Sequence, residues 1–319
     1  MVGIVMRIWG HGGALPPQII TNEQLAQQVD TSDEWIVTRT GIKERRVVVN
    51  GSGSLVALAL EASRQALAST GVAPIEVDLI LLTSSTPDDL FGSAAQIQQG
   101  LGAYRSVAFD LTAACSGFVF GVITAAQFIR SGTFRHILVV GADVLSRWVD
   151  WQDRGTCILF GDGAGAVLVS SHSRDNLLGF AMATDGKGGG LLNLPYAPDR
   201  SGFAPIFMNG KEVYRFAVTK VPETIEEILA KSHHQPQDVD WYILHQANQR
   251  IMDAVALRLG VAPHKMVSNI AQVGNTSAAS IPLALDDYAR SGQIKPGDKI
   301  MAVGFGAGLS WGGVLFQWG

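Results

Sequence analysis

The chain has 319 residues, 47% of them hydrophobic and 16% charged, enough for one large core or two of about 150 residues. Its 24 basic and 28 acidic side chains leave a net charge of −4, which excludes general attraction to nucleic acid or to an anionic membrane surface. Two cysteines, Cys115 and Cys157, are too few for a disulfide framework and fit a reducing compartment.

Residues 1–7 lack a charged lead and a long apolar core, so they read as a first strand and not as a signal peptide. No apolar run reaches the roughly 18 residues of a membrane span, and a cytoplasmic location is expected. Thr21 and Gln24 have capping-box spacing and predict a helix over 21–28. Thr31-Ser32-Asp33-Glu34 is a second capped start, ahead of Trp35 and Arg39. A helix is expected over 54–69, stopped by Gly71, and a strand over 78–83, apolar on both faces as a buried parallel strand should be. A turn-rich loop with Leu90 and Phe91 follows, then a helix over 93–101.

Val107-Ala108-Phe109 suits a buried strand, and 118–130 is apolar at helical spacing before Ser131-Gly132. Cys115 therefore stands at a strand-to-helix turn among small neighbours, Ala113, Ala114, Ser116 and Gly117. Unpaired N–H groups at such a helix start favour a thiolate, whereas the bland alternative is an inert buried cysteine. Residues 136–141 read as another strand, and 157–169 as a hairpin hinged on Gly161, Gly163 and Gly165.

The second half repeats the first. Val77-Asp78 precedes a strand reaching Thr83, and Val239-Asp240 precedes one reaching His245. Cys115 lies 15 residues before Arg130-Ser131-Gly132, and Asn275 lies 15 before Arg290-Ser291-Gly292. Duplicated βα halves, 1–155 and 156–319, follow from these matches. A pseudo-twofold arrangement would bring equivalent strand ends and helix starts to one centre, so Cys115, His245 and Asn275 would share a site. Taken singly, His245 could be a satisfied core histidine and Asn275 a helix N-cap. No His, Cys, Asp and Glu set has metal-ligand spacing.

A Cys–His–Asn set allows two chemistries. In a hydrolase, His activates Cys and Asn orients His. In a carbon–carbon bond-forming enzyme, Cys holds an acyl group while His and Asn donate hydrogen bonds to an enolate oxygen. Gly304-Phe305-Gly306-Ala307-Gly308 offers free backbone N–H groups as an oxyanion hole, and two helix starts aimed at one point suit developing negative charge, so the second is favoured.

Cys115-Ser116-Gly117-Phe118, His245-Gln246-Ala247-Asn248, Gly274-Asn275-Thr276-Ser277-Ala278-Ala279-Ser280 and Phe305-Gly306-Ala307-Gly308-Leu309-Ser310-Trp311-Gly312 resemble the β-ketoacyl-[acyl-carrier-protein] synthase III family. The resemblance implies an α/β, thiolase-like duplicated fold in α-β-α-β-α layers, as a homodimer, with no permanently bound cofactor. It implies that Cys115 takes an acyl group, typically acetyl, from acyl-CoA. A malonyl-acyl carrier protein thioester then decarboxylates, and the enolate attacks the acyl-Cys115. His245 and Asn275 would bind the malonyl thioester oxygen, and the N–H groups of Cys115 and Ala307 the acyl oxyanion. Many relatives have glycine where this chain has Ala307.

By the same resemblance Trp35, Arg39 and Arg154 line the CoA mouth, and Asn248 contacts the pantetheine arm. Arg215, Arg250 and Arg258 dock the carrier protein, and Leu90 or Phe91 borders the acyl pocket, reaching into the partner subunit. Against these stand core packing for Trp35, a helix cap for Asn248 and solvated salt bridges for the arginines. Rival readings are a CoA-dependent condensing enzyme of the polyketide or hydroxymethylglutaryl-CoA synthase type, a cysteine thioesterase, and a binding protein without catalysis.

Overall fold

In a computed structural model, which describes residues 5–49, 53–200 and 202–319, two sheets are built from repeated material. The front of the chain supplies β1 (Val5–Ala14), β2 (Gln18–Thr21), α1 (Asn22–Ala26), α2 (Asp33–Thr40), β3 (Glu44–Val47), α3 (Leu55–Ala68), β4 (Leu79–Thr83), α4 (Ala94–Leu101), β5 (Val107–Leu111), α5 (Gly117–Arg130), β6 (His136–Val144) and β7 (Asp162–His172). The back supplies β8 (Leu177–Thr184) and four two-residue strands, β9 (Leu192–Asn193), β10 (Tyr196–Ala197), β11 (Gly202–Phe203) and β12 (Phe207–Met208). Then come α6 (Gly210–Ser232), β13 (Trp241–Leu244), α7 (Gln249–Leu259), α8 (Ile270–Val273), α9 (Ser280–Arg290), β14 (Lys299–Gly306) and β15 (Ser310–Gln317). Residues 1–4 of the expected first strand lie outside the described residues.

The sheets run β1-β7-β6-β4-β5 and β8-β15-β14-β13. In each, the inner pair is parallel (β4 with β6, β13 with β14) and the next two pairings are antiparallel. The back sheet replaces β5 by a single parallel bridge, Tyr242 to Met266. Between the sheets lie α5 and α9. Alternate strand residues such as Leu79, Leu81, Ile137 and Val139 pack on them, while Ile80, Leu82, Leu138 and Val140 face α3 and α4 outside. On the far side, α6 and α7 cover the second sheet, completing α-β-α-β-α layers. Strands buried on both faces read as continuous apolar runs, which is why β4 was legible.

The duplication is real, but its register at the centre differs from the sequence count. Ala114 and Ser277 both take left-handed φ, 47° and 51°, and open the matching 3-10 turns Ala114–Ser116 and Ser277–Ala279. Cys115 therefore corresponds to Ala278, and Asn275 stands three residues ahead of the equivalent place. The helix α9 has 11 residues against 14 in α5, so counting back from the shared helix ends hid this offset. Each turn sits on a strand of the other half. A β-carbon at Gly304 of β14 would stand 2.8 Å from the Ser116 Cα, and one at Gly141 of β6 would stand 2.3 Å from the Ala278 carbonyl oxygen.

Three further expectations change. No hairpin forms over 157–169: a turn leads into the single strand β7, whose glycines lie under Pro282 and Leu283 of α9. Because β7 pairs with β1 and β6, the front sheet extends past the expected division at 155/156. And β5 is an edge strand, not a buried one, with Val107 50% and Phe109 39% exposed.

Candidate active site

Ala114, the small residue that carries the left-handed turn, lifts Cys115 to the front of α5. The Ser116 hydroxyl donates to the Ala113 carbonyl (2.7 Å) and lies 2.7 Å from the Ser310 Oγ, tying this turn to the start of β15. Gly306 is pressed against the nucleophile: a β-carbon there would meet Cys115 Cβ at 2.8 Å and Sγ at 3.1 Å. Any side chain at 306 would displace the thiol. Burial pushes the Cys115 thiol up to about 12, the Asp143 charge adds to this, and a hydrogen bond from Ser277 opposes it. Burial thus favours the neutral thiol, against the thiolate that the helix start favours.

His245 follows β13, its N–H donating to the Val303 carbonyl (2.8 Å). Its Nδ1 lies 2.7 Å from the Ser280 Oγ, and its ring meets the Phe305 ring edge-on at 5.1 Å. Burial lowers its pKa to about 3, so the imidazole is neutral across the physiological range. Asn275 is clamped on both sides: its N–H donates to the Leu159 carbonyl (2.8 Å) and its carbonyl accepts from the Gly161 N–H (2.9 Å). Its Oδ1 accepts the Ser277 N–H (2.9 Å), which forms a local turn and does not cap α9. Among the described residues no group bonds its Nδ2, which is left for a ligand.

Two cavities meet at Cys115. A cleft of about 440 Å³ is lined by Cys115, His245 and Asn275 together with Trp35, Arg39 and Arg250. A second cavity, of about 1020 Å³, lies on the other side of the thiol and is walled by apolar groups including Phe120, Trp148, Met182 and Phe203. Leu90 and Ala307 border this second cavity; Phe91 does not and points fully into solvent.

At the mouth of the cleft, the guanidinium carbons of Arg39 and Arg154 lie 5.7 and 5.3 Å from the Trp35 ring centroid, a cationic aromatic platform. Asn248 lines the cleft, but both ends of its amide are engaged. Its Oδ1 caps α7 by accepting the Arg250 N–H (2.9 Å), and its Nδ2 donates to the Arg39 carbonyl (3.0 Å). Arg250 stacks over Tyr214 at 5.3 Å, whereas Arg215 and Arg258 are held by Glu212 (3.8 Å) and Glu226 (3.5 Å).

Sequence reasoning missed Arg45. It is fully buried in β3 and donates to the carbonyls of Ile20 (3.0 Å) and Ile158 (2.8 Å) and to the Asn22 Oδ1 (2.9 Å). Its Cβ packs under Gly274, and burial lowers its pKa to about 10. It thereby braces the 158–161 segment that clamps Asn275. The only signal was alternation with Val47 on a short strand, legible once the inward face is known. Among the described residues no group of three or more His, Cys, Asp or Glu is placed to hold a metal ion, and no helix is long and apolar enough to cross a membrane.

The family model described as 3-Oxoacyl-[acyl-carrier-protein (ACP)] synthase III matches residues 109–186, and that of its C-terminal part matches residues 229–318. A β-ketoacyl-[acyl-carrier-protein] synthase III from a Nostoc species is 56% identical over 330 residues, covering 100% of both chains. The crystal structure of 3-oxoacyl-[acyl-carrier-protein] synthase III from Aquifex aeolicus superposes with a TM-score of 0.93 at 43% identity, over 98% of this chain and 99% of that one. The priming β-ketosynthase of the R1128 polyketide pathway superposes with a TM-score of 0.95 at 36% identity, over 99% and 97%.

Proposed function

The chain belongs to the β-ketoacyl-[acyl-carrier-protein] synthase III family and catalyses its initiating condensation of an acyl-CoA with a malonyl-carrier-protein thioester; from this premise we propose which atoms carry each step. The observation that carries the assignment is the lining of one cleft by a thiol from the front half and an imidazole and an amide from the back half.

Acyl-CoA enters past Trp35, Arg39 and Arg154. The Cys115 Sγ attacks its carbonyl, a new C–S bond forms, the bond to CoA sulfur breaks, and the thiol proton leaves with CoA. The N–H groups of Cys115 and Ala307 hold the oxygen as it becomes negative. After CoA departs, the malonyl arm enters the same cleft. Loss of CO2 leaves its electron pair as an enolate, whose oxygen receives hydrogen bonds from His245 and Asn275. The Ser280 Oγ, which accepts the Gln246 N–H (3.4 Å), is assigned as donor to Nδ1, and in that tautomer the ring hydrogen sits on Nε2, ready for the enolate oxygen. The enolate carbon then attacks the acyl carbonyl, the C–S bond breaks, and the sulfur takes a proton from solvent. No permanently bound cofactor enters these steps.

Assay with acyl-CoA and either malonyl-carrier protein or malonyl-CoA tests this reading. A 3-oxoacyl thioester on the carrier protein is expected. Free acid alone would make the protein a hydrolase, and equal use of malonyl-CoA would make it a CoA-dependent condensing enzyme. For carrier docking, Arg250 is the favoured contact, because Arg215 and Arg258 already face carboxylates.

The exposed edge β5, with Leu90, Phe91 and Tyr104 nearby, supports a homodimer formed by β5 pairing with its copy. Leu90 or Phe91 of one protomer would then help close the large cavity of the other. Sedimentation should show a dimer, and Val107→Lys should yield a monomer with slower Cys115 acylation; a monomeric parent would refute the pairing. Two buried free thiols are consistent with a cytoplasmic setting.

A further inference from the structure

Asp143, at the end of β6, is wholly buried. Its Oδ1 receives the Ser85 N–H (2.8 Å), the Thr86 hydroxyl (2.9 Å) and the Ser84 hydroxyl (3.2 Å), and its Oδ2 receives the Ala278 N–H (3.1 Å). The direction of both hydroxyls is fixed. Thr86 Oγ1 already accepts the Val144 N–H (2.8 Å) and Ser84 Oγ the Thr86 N–H (3.1 Å), so each hydrogen is left for the carboxylate. Oδ1 therefore faces three donors, which favour the ionised form against the burial that opposes it. No ion pair reaches it among the described residues. Burial pushes its pKa up, and hydrogen bonds from Ser85, Ser277 and Ala278 oppose that shift.

A buried carboxyl is costly unless its hydrogen bonds are met, and the bonds that meet it hold the groups around it in place. Here it spans the two halves. Asp143 belongs to the front half, and the backbone it holds at Ala278 belongs to the back half. One residue before, the Ser277 N–H holds the Asn275 Oδ1. A front-half carboxylate thus sets the turn that aims a back-half amide.

We propose that Asp143 is a positioning residue for the enolate-forming step, acting through the Ser277-Ala278 turn on the Asn275 amide. It is not needed to the same degree for acyl transfer to Cys115. This rests on the assignment of Asn275 to the enolate oxygen.

The test is Asp143→Asn, which keeps shape but turns one acceptor into a donor facing N–H or O–H groups. Acylation of Cys115 is read by intact mass with time, and decarboxylation by CO2 released from malonyl-carrier protein. Misplacement of the amide should cost decarboxylation on the order of 10²-fold, whereas acylation should be slowed by no more than about threefold, because losing the Asp143 charge relieves part of the upward push on the Cys115 thiol. Equal losses in the two half-reactions, or no loss in either, overturn the proposal. If Asp143→Asn does not fold, Thr86→Val removes one donor to the carboxylate and should show a smaller split of the same sign; no split there also overturns it. Asn275→Ala is run beside them. If it too shows no split, the enolate assignment itself fails; if it splits and the Asp143 and Thr86 variants do not, only this proposal fails.

Discussion

Cys115→Ala is expected to show no acyl adduct by intact mass after incubation with acyl-CoA, and condensation should fall by about 10⁴-fold or more, since a covalent route loses its nucleophile. The fold should survive. The side chain is small, and the turn that carries it is held by the Ser116 and Ser310 hydroxyls and by Gly304 and Gly306, none of which needs sulfur. A thermal midpoint within a few degrees of the parent checks this. The raised thiol pKa adds two consequences for the parent protein. Alkylation of Cys115 by iodoacetamide should rise about tenfold per pH unit from 7 to 9, without the plateau of a pre-formed thiolate. Stability has a matching sign. Below about pH 9 the group is protonated both folded and unfolded and contributes nothing. Between about 9 and 12 the unfolded chain ionises first, so stability falls with pH there, and Cys115→Ala should lessen that alkaline loss. A plateau in alkylation near neutrality would mean that a thiolate is stable in the resting site.

What the sequence could and could not reveal follows from the range of each interaction. The caps at Thr21 and Ser32 are local hydrogen bonds made within three residues, and both form within the motifs that announced them. The doubled βα pattern was legible because buried parallel strands and all-round apolar helices leave long hydrophobic runs. Counting from helix ends, however, assumed equal helix lengths, so Asn275 was set against Cys115 when the backbone sets Ala278 there. Val107-Ala108-Phe109 gave the same apolar signal as an inner strand although its sheet ends with it. An exposed edge strand and a strand destined for a core can have one composition. Arg45 and Asp143 were invisible for the opposite reason: charged residues at buried positions break the pattern used to find burial. Their partners, Ile158 and Ala278, lie more than 100 residues away.

His245→Ala and Asn275→Ala should separate the two half-reactions. Neither side chain is assigned to the acyl oxyanion, so acylation of Cys115 should proceed within a few-fold of the parent. Decarboxylation should fall by about 10²- to 10³-fold in each, the loss typical of removing one donor from a stabilised oxyanion. Both donors are preset, His245 by Ser280 and Asn275 by the Ser277 N–H and the 159–161 clamp, so neither reorganises as charge develops. The pH dependence distinguishes a donor from an acid. With a pKa near 3, His245 is neutral from pH 5 to 8, and decarboxylation measured on malonyl-carrier protein should show no inflection from this residue there. The same shift has a stability cost in acid. The unfolded chain takes up a proton below about pH 6.5 that the folded site refuses down to about 3, so the parent loses stability as pH falls through that window, and His245→Ala should lose less. An inflection near 6.5 that vanishes in His245→Ala would show the imidazolium to be the working form. Normal decarboxylation in either variant would remove that side chain from the enolate site.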